Sequence, residues 1–295
     1  MKHTYEKISP TAKLVAYLRT FSDIPFSKEI ATESEAEKTY QDMAGESKES
    51  LVRFSPYWEA RYKATDEIIK QRGMTQILEL AAGLSPRGLV MTEKPDVVYV
   101  STDLPQILEE EKAITEAILS KLNVQRRNLH FEMANALDRD SLLKAASIFK
   151  TNLPVAIVTE GLFPYFSREE QTVLANNICN VLTTYHGIWV VTDVHTKPLL
   201  EAAARLDKTV QKRRDRIASD TGSSLGRSFF SDENDLRVFF ETAGFQVEEY
   251  PYSNVIQCLS STKTLNLSYE DIKPAFELLA LSKAIVLTRR EPPRD

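Results

Sequence analysis

From residue 75 onward, short apolar runs with strand character alternate with amphipathic helical stretches. This alternation limits the possible folds more than any other feature of the chain. Residues 75–80, 96–102, 128–133, 154–159 and 188–192 read as strands. The run PVAIVT at 154–159 is almost wholly apolar, the pattern of a strand buried on both faces. One intervening helix starts at Pro105, a residue suited to a first helical position, and carries the stripe Ile107, Ile114 and Ile118. Another is expected over 141–149. A third follows a capping-box pattern, Ser167 with Glu170, and carries Leu174, Ile178, Val181 and Leu182. Strands and helices at this spacing build βαβ units on a parallel sheet, and right-handed crossovers place helices on both of its faces.

The flanking segments read differently. Residues 10–72 are mostly helical in pattern, with Leu14, Val15, Leu18 and Phe21 at helical spacing and a break at Pro25. A polar stretch over 32–50 follows, and then a helix over 58–72 that Gly73 stops. Residues 195–230 read as a long helical insertion with a basic cluster, Lys208, Lys212, Arg213, Arg214 and Arg216, and a loop holding Gly222 and Gly226. Ser231 is the expected cap of a further helix ending at Gly244, and 81–88 is expected to be loop. Strands at 245–251 and 284–288 enclose a helix over 269–281. The organisation expected is a helical cover, 1–72, on an α/β domain, 73–295, that carries the insertion 195–230, the whole forming one structural unit.

Charge and cysteine usage narrow the function classes. Lys and Arg number 37 against 42 Asp and Glu, a net charge of −5, which lacks the basic footprint of a nucleic-acid binder. The two cysteines, Cys179 and Cys258, are too far apart for a zinc motif or a disulfide framework. No apolar run approaches the ~20 residues needed to span a bilayer. The opening residues 1–5 carry no apolar leader, so a cytoplasmic protein without a membrane partner is expected. Nothing in the sequence specifies an oligomeric state.

In a doubly wound sheet, ligands bind beyond the carboxyl ends of the strands. The residues there are Glu79 to Arg87, Asp103, Asn135, Glu160 and Asp193. A dinucleotide fingerprint needs three glycines, and 81–88 offers only Gly83 and Gly88. A P-loop needs Lys after its second glycine, and Leu89 stands there. An NAD-type oxidoreductase is therefore disfavoured. Glu79 in the first strand, Gly83 in the loop and Asp103 ending the second strand instead suit a nucleoside cofactor without a pyrophosphate. Asp103 can accept from both ribose hydroxyls, and S-adenosylmethionine is the obvious such cofactor.

The segments ILELAAGLSPRG (77–88), STDLP (101–105) with Lys112 after it, TEGLFPYFS (159–167) and EARYKATD (59–66) together resemble the leucine carboxyl methyltransferase family, over roughly residues 10–250. That family includes bacterial O-methyltransferases linked to polyketide biosynthesis. The resemblance implies a class I methyltransferase fold: a Rossmann-like, seven-stranded, mostly parallel sheet with helices on both faces. It also implies S-adenosylmethionine as cofactor. Carried over by position, Arg61 would pair with the methionyl carboxylate, and Glu79, Ala81 and Gly83 would line the methionine side. Asp103, with Leu104 beside it, would hold the ribose, and Asn135 and Ala136 would border adenine. Glu160 would face the amino group or the transfer site, and Tyr165 the substrate.

This chain also departs from the family pattern. It has Ala81-Ala82-Gly83 where a second glycine is usual, Ser85 where Asp is common, and Asn135 where an acidic residue is common.

The implied reaction is methyl transfer to a carboxylate or hydroxyl of a small molecule or peptide terminus. A carboxylate is ionised at pH 7 and needs no base. A hydroxyl would be helped by one, and His195 is best placed, with Tyr165 second. Each residue has an ordinary structural alternative: Glu79 a satisfied strand residue, Asp103 a helix cap, Arg61 a surface arginine, His195 a packing residue. The altered first loop also leaves open a non-catalytic protein that binds the cofactor on the same fold.

Overall fold

The computed structural model describes residues 10–44, 48–221, 223, 225 and 228–290. Residues 1–5, Gly222 and Gly226 lie outside that set. Seven strands form: β1 (Gln76–Leu80), β2 (Val98–Asp103), β3 (Leu129–Met133), β4 (Val155–Thr159), β5 (Gly187–Val191), β6 (Phe245–Pro251) and β7 (Lys283–Arg289). They make one sheet in the order β3-β2-β1-β4-β5-β7-β6. Strands β1 to β5 are mutually parallel, and β7 runs antiparallel to both β5 and β6. This is the seven-stranded, mostly parallel α/β sheet of the class I methyltransferase type. Chain order reverses between β1 and β4, where a crevice forms at the strand ends.

The helices are α1 (Pro10–Arg19), α2 (Ser27–Glu33), α3 (Ala36–Ala44), α4 (Lys48–Arg53), α5 (Ser55–Gln71), α6 (Arg87–Met91), α7 (Pro105–Leu122), α8 (Arg139–Ala146), α9 (Arg168–Tyr185), α10 (Lys197–Leu206), α11 (Val210–Thr221), α12 (Glu233–Thr242), α13 (Ser261–Thr264) and α14 (Tyr269–Leu281). On one face of the sheet, Leu142 of α8, Leu174 and Ile178 of α9 and Phe240 of α12 pack against Leu78, Ile157 and Trp189. On the other, Ala60, Ala64 and Ile68 of α5 and Leu279 of α14 pack against Ile77, Val158 and Ile188. All five residues of β4 are buried, as its apolar run requires, and each aliphatic side chain so buried is worth about 1.5–3 kcal/mol. The first 72 residues thus supply both a sheet layer, α5, and a cover, in which Ala16 of α1 and Ile30 of α2 pack on Ile114 and Ile118 of α7.

Several local signals act as expected. Ser167 and Glu170 form a capping box on α9, Pro105 opens α7, and Gly73 ends α5 at φ 61°. Others differ. The cap of α12 is Asp232, not Ser231, because its carboxylate accepts from the Asp235 amide at 2.8 Å. The insertion is two helices rather than one, interrupted at Asp207, whose carboxylate accepts from the Thr209 amide at 2.8 Å in an Asx turn. Residues 87–91 are helical, so the first loop is shorter than 81–88. The polar stretch over 32–50 contains α3 and the start of α4. Among the described residues no helix is long and apolar enough to cross a membrane.

Candidate functional site

A cavity of about 1030 Å³ lies at the carboxyl ends of the parallel strands. Its floor is made by the segments that follow each strand: 81–84 after β1, Asp103 and Leu104 at β2, Asn135 and Ala136 after β3, Glu160 and Gly161 after β4, Asp193 and His195 after β5. Helices close it from above, with Leu14 and Val15 of α1, Trp58 of α5, Leu199 of α10 and Ile217 of α11 on the wall.

The first loop is shaped by two residues at positive φ, Ala81 at 52° and Gly83 at 58°. Alanine in this region costs roughly 1–2 kcal/mol, so the loop keeps a conformation that glycine would adopt more readily. The Ala82 amide donates to the Thr102 carbonyl at 3.0 Å and ties the loop to β2. The Gly83 amide donates to Asp103 Oδ2 at 3.0 Å, and the Leu104 amide donates to Oδ1 at 2.8 Å. Asp103 is 5% exposed and faces no paired cation, so burial pushes its carboxyl up to about 6. The cap residue of α7 is Leu104, so Asp103 is not occupied as a helix cap. A carboxylate accepts at about four lone-pair sites, and the two backbone bonds leave capacity toward the cavity.

A buried charge cluster adjoins this wall. Glu160 Oε1 accepts from Arg19 at 2.5 Å and from Arg61 Nε at 3.2 Å, and Oε2 accepts from Arg87 at 2.7 Å. Three guanidinium groups hold the Glu160 carboxyl well below the usual carboxylate range despite its burial. Arg61 also donates to Asp193 at 2.7 Å and stacks on Trp58, 4.6 Å from the ring centre. These two carboxylates hold its guanidinium charged although burial opposes that. Gly161 takes φ 76° beside this pair; a side chain there would approach Asp193 Oδ2 at 3.8 Å. Arg87 is fully buried and reaches Asp66 at 2.7 Å and Glu79.

The structure brings Arg61, Ala81, Gly83, Asp103, Leu104, Asn135, Ala136, Glu160, Tyr165 and His195 around one cavity. Glu79 does not line it. Its carboxylate is 2% exposed and accepts from Arg87 and from the Tyr99 hydroxyl beneath the first loop. Asn135 sits at the rim, where its side-chain oxygen accepts from the Leu137 amide at 3.0 Å. Tyr165 ends a short turn after β4 and shares a 2.7 Å hydrogen bond with Thr11 of α1. His195 has its Nδ1 buried without a partner, and burial with Arg214 and Arg61 nearby pushes its imidazole down to about 3.

Three participants were not named from sequence as binding residues: Arg19, Arg87 and Arg214. Arg87 stands inside the quoted first-loop segment, and a basic residue in such a run was a usable signal. Arg19 carries none, since its partner Glu160 is 141 residues away. In the basic stretch, Arg214 turns to the cavity while Lys208, Lys212 and Arg216 are exposed.

Comparison with known proteins adds the following. A family model described as leucine carboxyl methyltransferase matches residues 13–179, more than half of the chain. A protein of Mycobacteroides abscessus named as an S-adenosyl-L-methionine-dependent methyltransferase is 30% identical over 131 residues, 43% of this chain and 41% of its own length. One of the same name from Mycobacterium marinum is 22% identical over 221 residues, 75% of this chain and 66% of its own. The matched stretches thus span less than two thirds of either curated relative. A crystal structure of a DUF574 family protein from Streptomyces avermitilis superposes with a TM-score of 0.55 at 14% identity, over 95% of this chain and 97% of that one. At that identity the likeness concerns the fold alone.

Proposed function

The chain belongs to the leucine carboxyl methyltransferase family, and from that premise we propose that it transfers the methyl group of S-adenosylmethionine to an oxygen of a small molecule or peptide terminus. The observation that carries this reading is Asp103, a buried carboxylate on the cavity wall whose two backbone partners leave it free to accept further hydrogen bonds. The residues present suit the cofactor. Asp103 would hold the ribose hydroxyls, and Gly83, with only a backbone amide turned to Asp103, lets a ligand approach the loop. Asn135 and Ala136 would border the base, and Arg61, held by Glu160 and Asp193, would meet the methionyl carboxylate. When bound, the cofactor supplies a methyl carbon already activated by a sulfonium sulfur.

What the chain contributes is then alignment and exclusion of water, an effect worth about 7–11 kcal/mol in well-oriented reactions. The helical wall of Leu14, Val15, Trp58, Leu199 and Ile217 keeps the cavity apolar on the acceptor side. An acceptor oxygen that is already ionised suits this site better than a hydroxyl, because neither candidate base is placed to take a proton. His195 is a poor base, with an imidazole pushed down to about 3. The Tyr165 hydroxyl is already engaged with Thr11. Titration calorimetry with S-adenosylmethionine and S-adenosylhomocysteine tests the reading. Micromolar binding of both is expected, and no heat at high micromolar ligand would overturn it.

A further inference from the structure

The backbone under His195 is held in place, but among the described residues its ring Nδ1 has no hydrogen-bond partner. Its carbonyl accepts from the Phe230 amide at 2.8 Å, and Thr196 bridges to Phe230, so the backbone under the ring is pinned. Among the described residues no carboxylate orients the imidazole; Asp193, two residues earlier, is given to Arg61 at 2.7 Å. Nδ1 is buried with no partner, which leaves Nε2 as the nitrogen that the cavity can reach. The charged and titratable groups that line the cavity with His195 are Arg19 of α1, Tyr57 and Arg61 of α5, Asp103, Glu160, Tyr165, Asp193, Asp207 and Arg214 of α11. Glu160 and Asp193 are compensated by Arg61.

An orphaned buried N–H is rarer than an under-satisfied acceptor, so the proton belongs on Nε2 and the bare lone pair on Nδ1. Arg61 and Arg214 oppose a second proton, and burial does so more strongly. The ring therefore stays neutral and presents one N–H to the cavity.

We infer that His195 serves the acceptor as a neutral hydrogen-bond donor through Nε2–H, gripping an oxygen that is already ionised when it enters, and that it does not act as a base. This inference rests on the methyltransferase reading for the identity of the acceptor site. It is not a consequence of that reading, which would equally allow a histidine base. An ionised oxygen leaves no proton to be placed, so a donor is what the site can use.

Two measurements test it. The first needs no ligand: long-range nitrogen–proton NMR of the histidine ring, assigned with His195→Gln, between about pH 5 and pH 8. A neutral Nε2–H tautomer that does not titrate in this range is expected. An Nδ1–H tautomer, or a midpoint above about pH 6, would overturn the inference. The second uses 2-naphthoate and the uncharged 2-naphthol as probes, titrated into protein saturated with S-adenosylhomocysteine. His195→Gln, which keeps a donor, should bind naphthoate about as the parent does. His195→Leu should bind it about tenfold more weakly, with naphthol unchanged. Equal naphthoate affinity in His195→Leu, or no naphthoate binding at millimolar concentration, would overturn it. Unchanged S-adenosylhomocysteine affinity in both variants shows that they fold. Its absence in the parent protein would strike the methyltransferase reading instead, while the ring NMR still decides the state of His195.

Discussion

Asp103 and Glu160 stand on either side of β1, one at the end of β2 and the other just past β4, and both carboxylates are buried. Their environments are opposite. Asp103 accepts only from two backbone amides, and burial pushes it up to about 6. Glu160 is surrounded by Arg19, Arg61 and Arg87 and is held far down. One carboxylate has acceptor capacity to offer a ligand. The other has its oxygens filled by guanidinium groups and holds α1, α5 and Arg87 of α6 against the end of β4. Burial alone does not set the behaviour of an acid; the count of compensating cations does.

Breaking the Glu160 side should have the largest effect. Glu160→Gln leaves buried guanidinium groups short of charge and should cost about 3–5 kcal/mol of stability, read from urea unfolding at pH 7. The ionised Glu160 has a depressed folded-state pKa. Its contribution is therefore present above the unfolded carboxylate value of about 4.3 and is lost as pH falls below it. A variant as stable as the parent would show that the cluster is not a structural unit.

Breaking the Asp103 side should leave the fold standing and weaken the ligand. Asp103→Ala should reduce S-adenosylhomocysteine affinity by about 1.5–3 kcal/mol, and an unchanged affinity would refute the ribose assignment. A gentler version needs no mutation. The folded-state pKa of Asp103 is raised, so the stability that protonation adds is present below the unfolded value and lost as pH rises through about 6. Ligand affinity runs the other way, because the ionised form accepts the hydroxyls. It should fall about tenfold per pH unit below about 6, followed by calorimetry. A flat profile down to about pH 5 would mean that another group carries the binding.

The smallest effect tests the loop that joins the two regions. Ala81 sits at φ 52°, so Ala81→Gly removes a left-handed alanine and adds back the unfolded-chain entropy of glycine. These nearly offset, and a gain of up to about 1 kcal/mol in thermal stability is expected. A clear loss would show that the alanine methyl group makes contacts worth more than its strain.

Much of this was legible in the chain itself. The strands β1, β2, β4 and β5, the Pro105 and Ser167 helix starts and the Gly73 stop depend on neighbours within a few residues, and periodicity and capping report such neighbours directly. The miss at Ser231 was of the same local kind: two adjacent residues can both cap, and only the geometry at Asp232 selects one. Asp103 and His195 were findable because strand ends in a parallel sheet converge on one edge. Glu79 was placed on the right strand, but its engagement with Arg87 and Tyr99 follows from packing under the loop.

The sequence by itself thus determined the parallel α/β core, the edge at which ligands gather and the residues that end its strands, because short-range patterns encode all three. Only the tertiary structure decided that β7 enters between β5 and β6, and that Arg19 crosses 141 positions to reach Glu160. It alone left the buried Nδ1 of His195 without a hydrogen-bond partner among the described residues, with Asp193 engaged by Arg61. These depend on which distant charges are buried together. A buried charge must find its compensation in space, wherever along the chain that compensation lies.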